Sequence, residues 1–176
     1  SIWDAASHRA NPGKRRFSTS WSLNFFISTK SLVAFSMITF NTIHVNMPDL
    51  CEELISRWVK AVAETYGKRV GEVTYVFCDD PKILEVNREF LKHDYFTDII
   101  TFDYCQGNRI SGDLFISIDT VRTHAELFNK TYADELNRVV IHGVLHLCGI
   151  NDKGPGEREI MEAEEDKACL LYTSPS

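Results

Sequence analysis

The stretch HGVLHLCGINDK, residues 142–153, joins a helix to a candidate metal site. His142 and His146 are four residues apart, the interval that brings two side chains onto one helix face. Gly149 stands where a helix can end in a left-handed residue. A chain reversed there returns Asp152 toward the same point. Two imidazoles and a carboxylate are an ordinary donor set for Zn2+, with bonds of about 2.0–2.2 Å and a fourth position left open. Spacing alone leaves two readings open: a metal site, or two histidines hydrogen-bonded at the edge of a core. Zinc peptidases share the spacing but place a glutamate base directly after the first histidine. Gly143 holds that position here, so a peptidase of that type is disfavoured on mechanism.

Outward from this stretch, Thr131 and Asp134 form a capping-box-like pair ahead of ELNRVVIHGVLHLCG. Cys148 is expected on the buried side of that helix. Asp119 opens an earlier helix through TVRTHAELFN. GDLFISI (112–118) and DIITFDY (98–104) read as strands around a turn at Gly107-Asn108. Asp80-Pro81 supplies an N-cap and a proline at the first helical position, followed by a helix with Ile83, Val86, Phe90 and Leu91 inward. EVTYVFCD (72–79) and ITFNTIHV (38–45) are two more strands. Between them Asp49 can cap a helix whose Leu50, Leu54, Trp58, Val62 and Tyr66 share a face, ending at Gly67. Pro155 to about Leu170 reads as a last, acidic helix. Four strands in two separated pairs, with helices before, between and after, predict an α+β fold. Its centre is a four-stranded mixed sheet with packed helices, and its metal site lies on a zincin-like HxxxH helix in the C-terminal half.

The chain has 176 residues, 44% hydrophobic and 25% charged, as expected of one globular domain. No apolar run approaches the length of a membrane span. The five cysteines include no CxxC pair, so neither a zinc ribbon nor a disulfide framework is indicated. The net charge of -6 is unevenly spread. In residues 1–36, Arg9, Lys14, Arg15, Arg16 and Lys30 face Asp4 alone. The remainder is strongly acidic, so a nucleic-acid substrate would need a local basic patch or a metal to draw it in.

Residues 1–36 lack any sustained period. They are expected to be a leader outside the fold, either upstream translation ahead of Met37 or an organellar targeting peptide. The functional domain is expected over residues 37–168. CLLYTSPS, residues 169–176, resembles a translated sequencing adapter, and an artefactual tail is expected there.

HGVLHLCGINDK resembles the HGxLHLxGYDH signature of the YbeY family of endoribonucleases. The segment 86–104 resembles a second family motif through Asn87, Phe90, Asp94, Thr97, Asp98 and Phe102. GDLFIS (112–117), Glu135 and Met161-Glu162-Ala163 also fit, so the resemblance spans roughly residues 37–168. It implies a metal-dependent, single-strand-specific endoribonuclease. Its expected role is 16S ribosomal RNA 3′ end maturation and ribosome quality control, with ribosomal RNA and the small subunit as partners. One divalent ion, Zn2+, is expected on His142, His146 and Asp152, with no nucleotide cofactor and no membrane association. The expected location is the bacterial cytoplasm, or an organelle if residues 1–36 are a transit peptide.

Two departures from the family pattern matter. Asp152 stands where the family has a third histidine, and Leu91 stands where it has an arginine suited to clamping phosphate. Arg88 and Lys92, four apart on a helix, are candidate substitutes, or solvated surface charges. Lys153 is a further candidate cation. Glu135 is a candidate to orient the histidines, or a helix N-terminal acid suited to the macrodipole. His44, His93 and His124 read as isolated structural residues. Two rival functions remain: a non-catalytic metal-binding ribosome-assembly factor, and a metal-dependent hydrolase of a non-RNA substrate.

Overall fold

The computed structural model describes residues 6–9, 37–92 and 97–173. Its strands are β1 (Ala6–Arg9), β2 (Met37–Ile43), β3 (Arg69–Cys78), β4 (Ile99–Asp103) and β5 (Arg109–Ser117). Its helices are α1 (Glu52–Thr65), α2 (Asp80–Val86), α3 (Ile118–Leu127), α4 (Tyr132–Leu147) and α5 (Glu157–Thr173). A π-helical turn, Asn87–Leu91, extends α2. One mixed sheet runs in the order β1-β4-β5-β3-β2. Only the β4–β5 pair is antiparallel, joined through a left-handed Gly107; the other pairs are parallel.

The four expected strands are all present. The sheet gains a fifth, because Ala6–Arg9 pairs in parallel with β4. Those four residues lie in the segment expected to stay outside the fold; the rest of residues 1–36 lies outside the described residues. At the other end α5 runs past the expected boundary at residue 168. Cys169 and Tyr172 pack against the core, and the Tyr172 ring meets Trp58 edge-on at 4.8 Å. Residues 174–176 lie outside the described residues.

The two faces of the sheet carry different cargo. Val73, Tyr75, Phe77, Ile99, Leu114 and Ile116 face α1, α3, α4 and α5 in the main core. Val76, Ile100, Phe102 and Phe115 face the opposite way, toward Ile83, Val86, Phe90 and Leu91 of α2 and its π-turn. Burying both faces explains the nearly continuous apolar runs of β4 and β5, since strands covered on both sides lose the alternation of half-exposed ones.

Several local expectations shift by a residue or two. The N-cap of α1 is Cys51, not Asp49, and its buried stripe is Ile55, Trp58, Val59, Val62 and Ala63. A row of every fourth residue drifts around a 3.6-residue helix, so the true stripe alternates steps of three and four. Asp79, not Asp80, caps α2 by accepting from the Lys82 amide at 3.0 Å. Asp80 instead accepts from the Ser117 and Thr120 hydroxyls at 2.5 and 2.6 Å, tying α2 to the start of α3. Ser117 caps α3, where Asp119 was expected. Thr131 caps α4 as anticipated.

α4 lies along the sheet with every residue from Val139 to Leu147 buried. A methyl group built on Gly143 would stand 2.8 Å from Ile99 Cδ1 and 2.9 Å from Leu114 Cδ2. The missing side chain at this position is thus a packing requirement: α4 touches the sheet there.

Candidate metal centre

Close docking at Gly143 seats α4 on the sheet, and the two histidines project from an adjacent face of the helix into the clefts beside it. The helix ends at Cys148, and Gly149, with φ of 100°, reverses the chain. A side chain on that backbone would be strained, which is why glycine serves. The reversal delivers Asp152 to the histidines. His142 Nε2 and His146 Nε2 are 3.0 Å apart, and Asp152 Oδ2 lies 3.3 Å from the first and 3.5 Å from the second. All three expected ligands therefore converge. A tetrahedral ion with bonds of about 2.0–2.1 Å separates its donors by roughly 3.4 Å, so the triangle fits Zn2+ with little rearrangement. His142 and His146 are buried, which favours a desolvated, strongly held ion.

The group that orients the first histidine is Glu165, on α5. Its Oε2 accepts from His142 Nδ1 at 2.7 Å. A proton held on Nδ1 leaves the Nε2 lone pair facing the centre, as metal ligation needs. Glu165 is itself held by Arg138 at 2.7 Å, and Arg138 reaches Asp166 at 2.8 Å. Glu135, the expected orienting acid, is placed elsewhere, beside Asp98 and His124. The signal for Glu165 was present in the sequence. Met161 and Ala168 are buried on α5, and Glu165, four after one and three before the other, occupies the same stripe. A carboxylate in a core row calls for a partner.

Electrostatics follow from this crowding. Burial opposes protonation of His142, but Asp152 and Glu165 outweigh it and raise its pKa to about 9. Burial would raise the Asp152 carboxyl, yet the two histidines hold it well below the usual carboxylate range. A metal ion binds the unprotonated imidazole and so competes with this proton. Zn2+ affinity is therefore expected to climb as pH rises from about 6.5 toward 9, approaching tenfold per unit, and to flatten above. Competition titrations against a chelator across that range check this; an affinity independent of pH would contradict it.

Two open clefts meet at Asp152. One, of about 230 Å³, includes Lys130, Arg138, His142, Arg158 and Glu165 in its walls. The other, of about 500 Å³, includes Asp103, His146, Asn151 and Lys153. Neither member of the expected phosphate-clamping pair is among the described residues that line them. Arg88 sits on the π-turn and Lys92 just after it, both exposed, beyond the helix that covers the opposite face of the sheet. Lys92 has φ of 57°, so the pair does not form one α-helical face. The left-handed cap places Lys92 beyond the end of the turn that carries Arg88, and the interval of four on which that reading rested does not run within one regular helix. Lys153 does reach a cleft wall. His93 and Asp94 lie outside the described residues. His44 is exposed, 3.6 Å from Asp79.

The family model described as Endoribonuclease YbeY matches residues 37–172. A protein of that name from Bacteroides thetaiotaomicron is 66% identical over 134 residues, covering 76% of this chain and 98% of its own. Its namesake from Phocaeicola vulgatus is 67% identical over 137 residues, covering 78% and 99%. A more distant namesake from Porphyromonas gingivalis is 48% identical over 134 residues, covering 76% and 89%. Among solved structures, the solution structure of a structural-genomics target from Thermotoga maritima superposes with a TM-score of 0.56 at 25% identity, covering 77% of this chain and 89% of that one.

Proposed function

The chain belongs to the endoribonuclease YbeY family, and from that premise we propose that it cleaves single-stranded RNA by metal-assisted phosphodiester hydrolysis at the His142–His146–Asp152 triad. The observation that carries this reading is the convergence of the three donor atoms within 3.0–3.5 Å of one another. A Zn2+ ion bound there would polarise a phosphoryl oxygen and make water more acidic.

The chain's own residues supply the rest. Glu165 fixes the ring of His142, and Arg138 fixes Glu165 in turn. Lys130 and Arg158 in one cleft wall and Lys153 in the other place cations on both sides of the triad, among the acids Glu162, Asp166, Asp103 and Glu157, with Arg158 paired to Glu162 at 3.4 Å. An extended phosphate backbone crossing from cleft to cleft would meet cations before and after the scissile bond. These three take the role expected of Arg88 and Lys92. A local patch of this kind is needed because the net charge of -6 repels nucleic acid at a distance. Maturation of the 16S ribosomal RNA 3′ end, quality control on the small subunit and a cytoplasmic location belong to the same proposal, supported by the family resemblance.

The test is cleavage of a single-stranded ribosomal RNA fragment by the full chain. Cutting is expected to stop after chelation and dialysis and to return with Zn2+. Undiminished cutting by the stripped protein would refute metal assistance. Leu91, in place of the family arginine, favours a second reading, an assembly factor that binds metal without cutting. Absence of cleavage by the Zn2+-loaded protein, with RNA binding retained, would select that reading.

A further inference from the structure

A second cluster of metal-ligating side chains gathers near the start of the same helix, drawn from three segments of the chain. Asp98, His124 and Glu135 each present a donor atom, and all three atoms fall within 4.8 Å of one another. Asp98 precedes β4, and its backbone carbonyl accepts from the Ser117 amide at 2.9 Å, which holds it beside the start of α3. His124, on α3, places Nδ1 3.6 Å from Asp98 Oδ2. Glu135, in the first turn of α4, is 0% exposed, and among the described residues neither of its carboxylate oxygens has a hydrogen-bond partner. Asp98 is 3% exposed, and its Oδ1 likewise has none among the described residues.

Buried carboxylates are nearly always paired, because removing their charge from water costs several kcal/mol. Here two share one enclosure with unmet acceptors aimed into it. We propose that Asp98, His124 and Glu135 form a second divalent-cation site, distinct from the His142–His146–Asp152 triad. Two carboxylates and a neutral imidazole balance a charge of +2. One nitrogen and two oxygen donors suit Mn2+ or Zn2+ better than Ca2+ or Mg2+. At an octahedral ion with bonds of about 2.1 Å, adjacent donors stand roughly 3.0 Å apart and opposed ones roughly 4.2 Å, so binding draws the cluster inward.

The position defines the task. Glu135 and His142 are seven residues apart on α4, or roughly 10 Å along the axis. Paired catalytic ions stand about 3.5–4 Å apart, so the two sites do not share a substrate phosphate. The second ion instead clamps the entry to β4 against α3 and α4, and fixes the helix that carries the histidines. This inference goes beyond the nuclease reading and does not depend on it.

Elemental analysis of the full chain tests it, after stripping, loading with Zn2+ or Mn2+ and desalting. Two ions per chain are expected in the wild type. One is expected in Glu135→Gln and one in His142→Ala, His146→Ala, with folding of each checked by circular dichroism. One ion in the wild type and none in the double histidine variant would overturn the proposal, meaning that a proton on Glu135 neutralises the cluster. One ion that survives the double histidine variant but is lost in Glu135→Gln would support this site and sink the triad. The wild-type count needs no variant to fold.

Discussion

A His142→Ala, His146→Ala double variant is expected to lose RNA cleavage by more than about a hundredfold. Removing a group that merely orients a ligand lowers metal affinity or activity by about 10–100-fold; this variant removes two of three donors outright. Each single variant should lose nearly as much as the pair, since residues that act as a unit are not additive. The loss is chemical rather than structural. The helix is anchored away from the histidines by Val140, Ile141 and Val144, so near-UV circular dichroism should stay close to wild type. Cleavage at the wild-type rate by the folded variant would remove the triad from the mechanism.

Gly143→Glu is expected to yield no stably folded protein. The first added carbon already sits 2.8 and 2.9 Å from Ile99 and Leu114, two side chains with no exposure. Overpacking of this kind costs about 1–3 kcal/mol. A carboxylate carried beyond that carbon enters the contact between helix and sheet without a partner, which adds several kcal/mol. Together these approach the roughly 5–15 kcal/mol by which domains are stable at all. Gly143→Ala carries only the packing part and should fold with a lowered urea midpoint. A Gly143→Glu protein that unfolds at the wild-type urea concentration would refute the tight contact. The same geometry explains why this helix cannot adopt the histidine–glutamate pair of the zinc peptidases: the position after His142 faces the sheet, away from the cleft.

The histidine helix was readable from the sequence because its signals are local. A capping threonine, two histidines one turn apart and a left-handed glycine each act over a few residues, and the structure keeps them all. The strands were readable for the same reason. The parts that escaped depend on distant partners. Glu165 meets His142 across 23 residues, and nothing near it in the chain names that partner. His124 looked isolated because Asp98 and Glu135 flank it only after three elements pack. Arg88 and Lys92 were read as one helical face, and the left-handed residue that ends the turn at Lys92 is not written in spacing. Asp152 could be placed only through the resemblance and the reversal at Gly149, and the structure brings it to the histidines.

The last helix has a consequence for how the centre is assembled. α5 carries Glu165, and its Ala168 carbonyl accepts from the indole of Trp58, far back in the chain, at 2.6 Å. Seating that helix and readying His142 for an ion are therefore one event seen from two ends. By reciprocity, whatever tightens the helix must tighten the ion by the same factor, and the ion returns the favour. An ion held at the triad would fasten the carboxyl-terminal segment as well as serve the reaction, and stripping it is expected to open the chain there first.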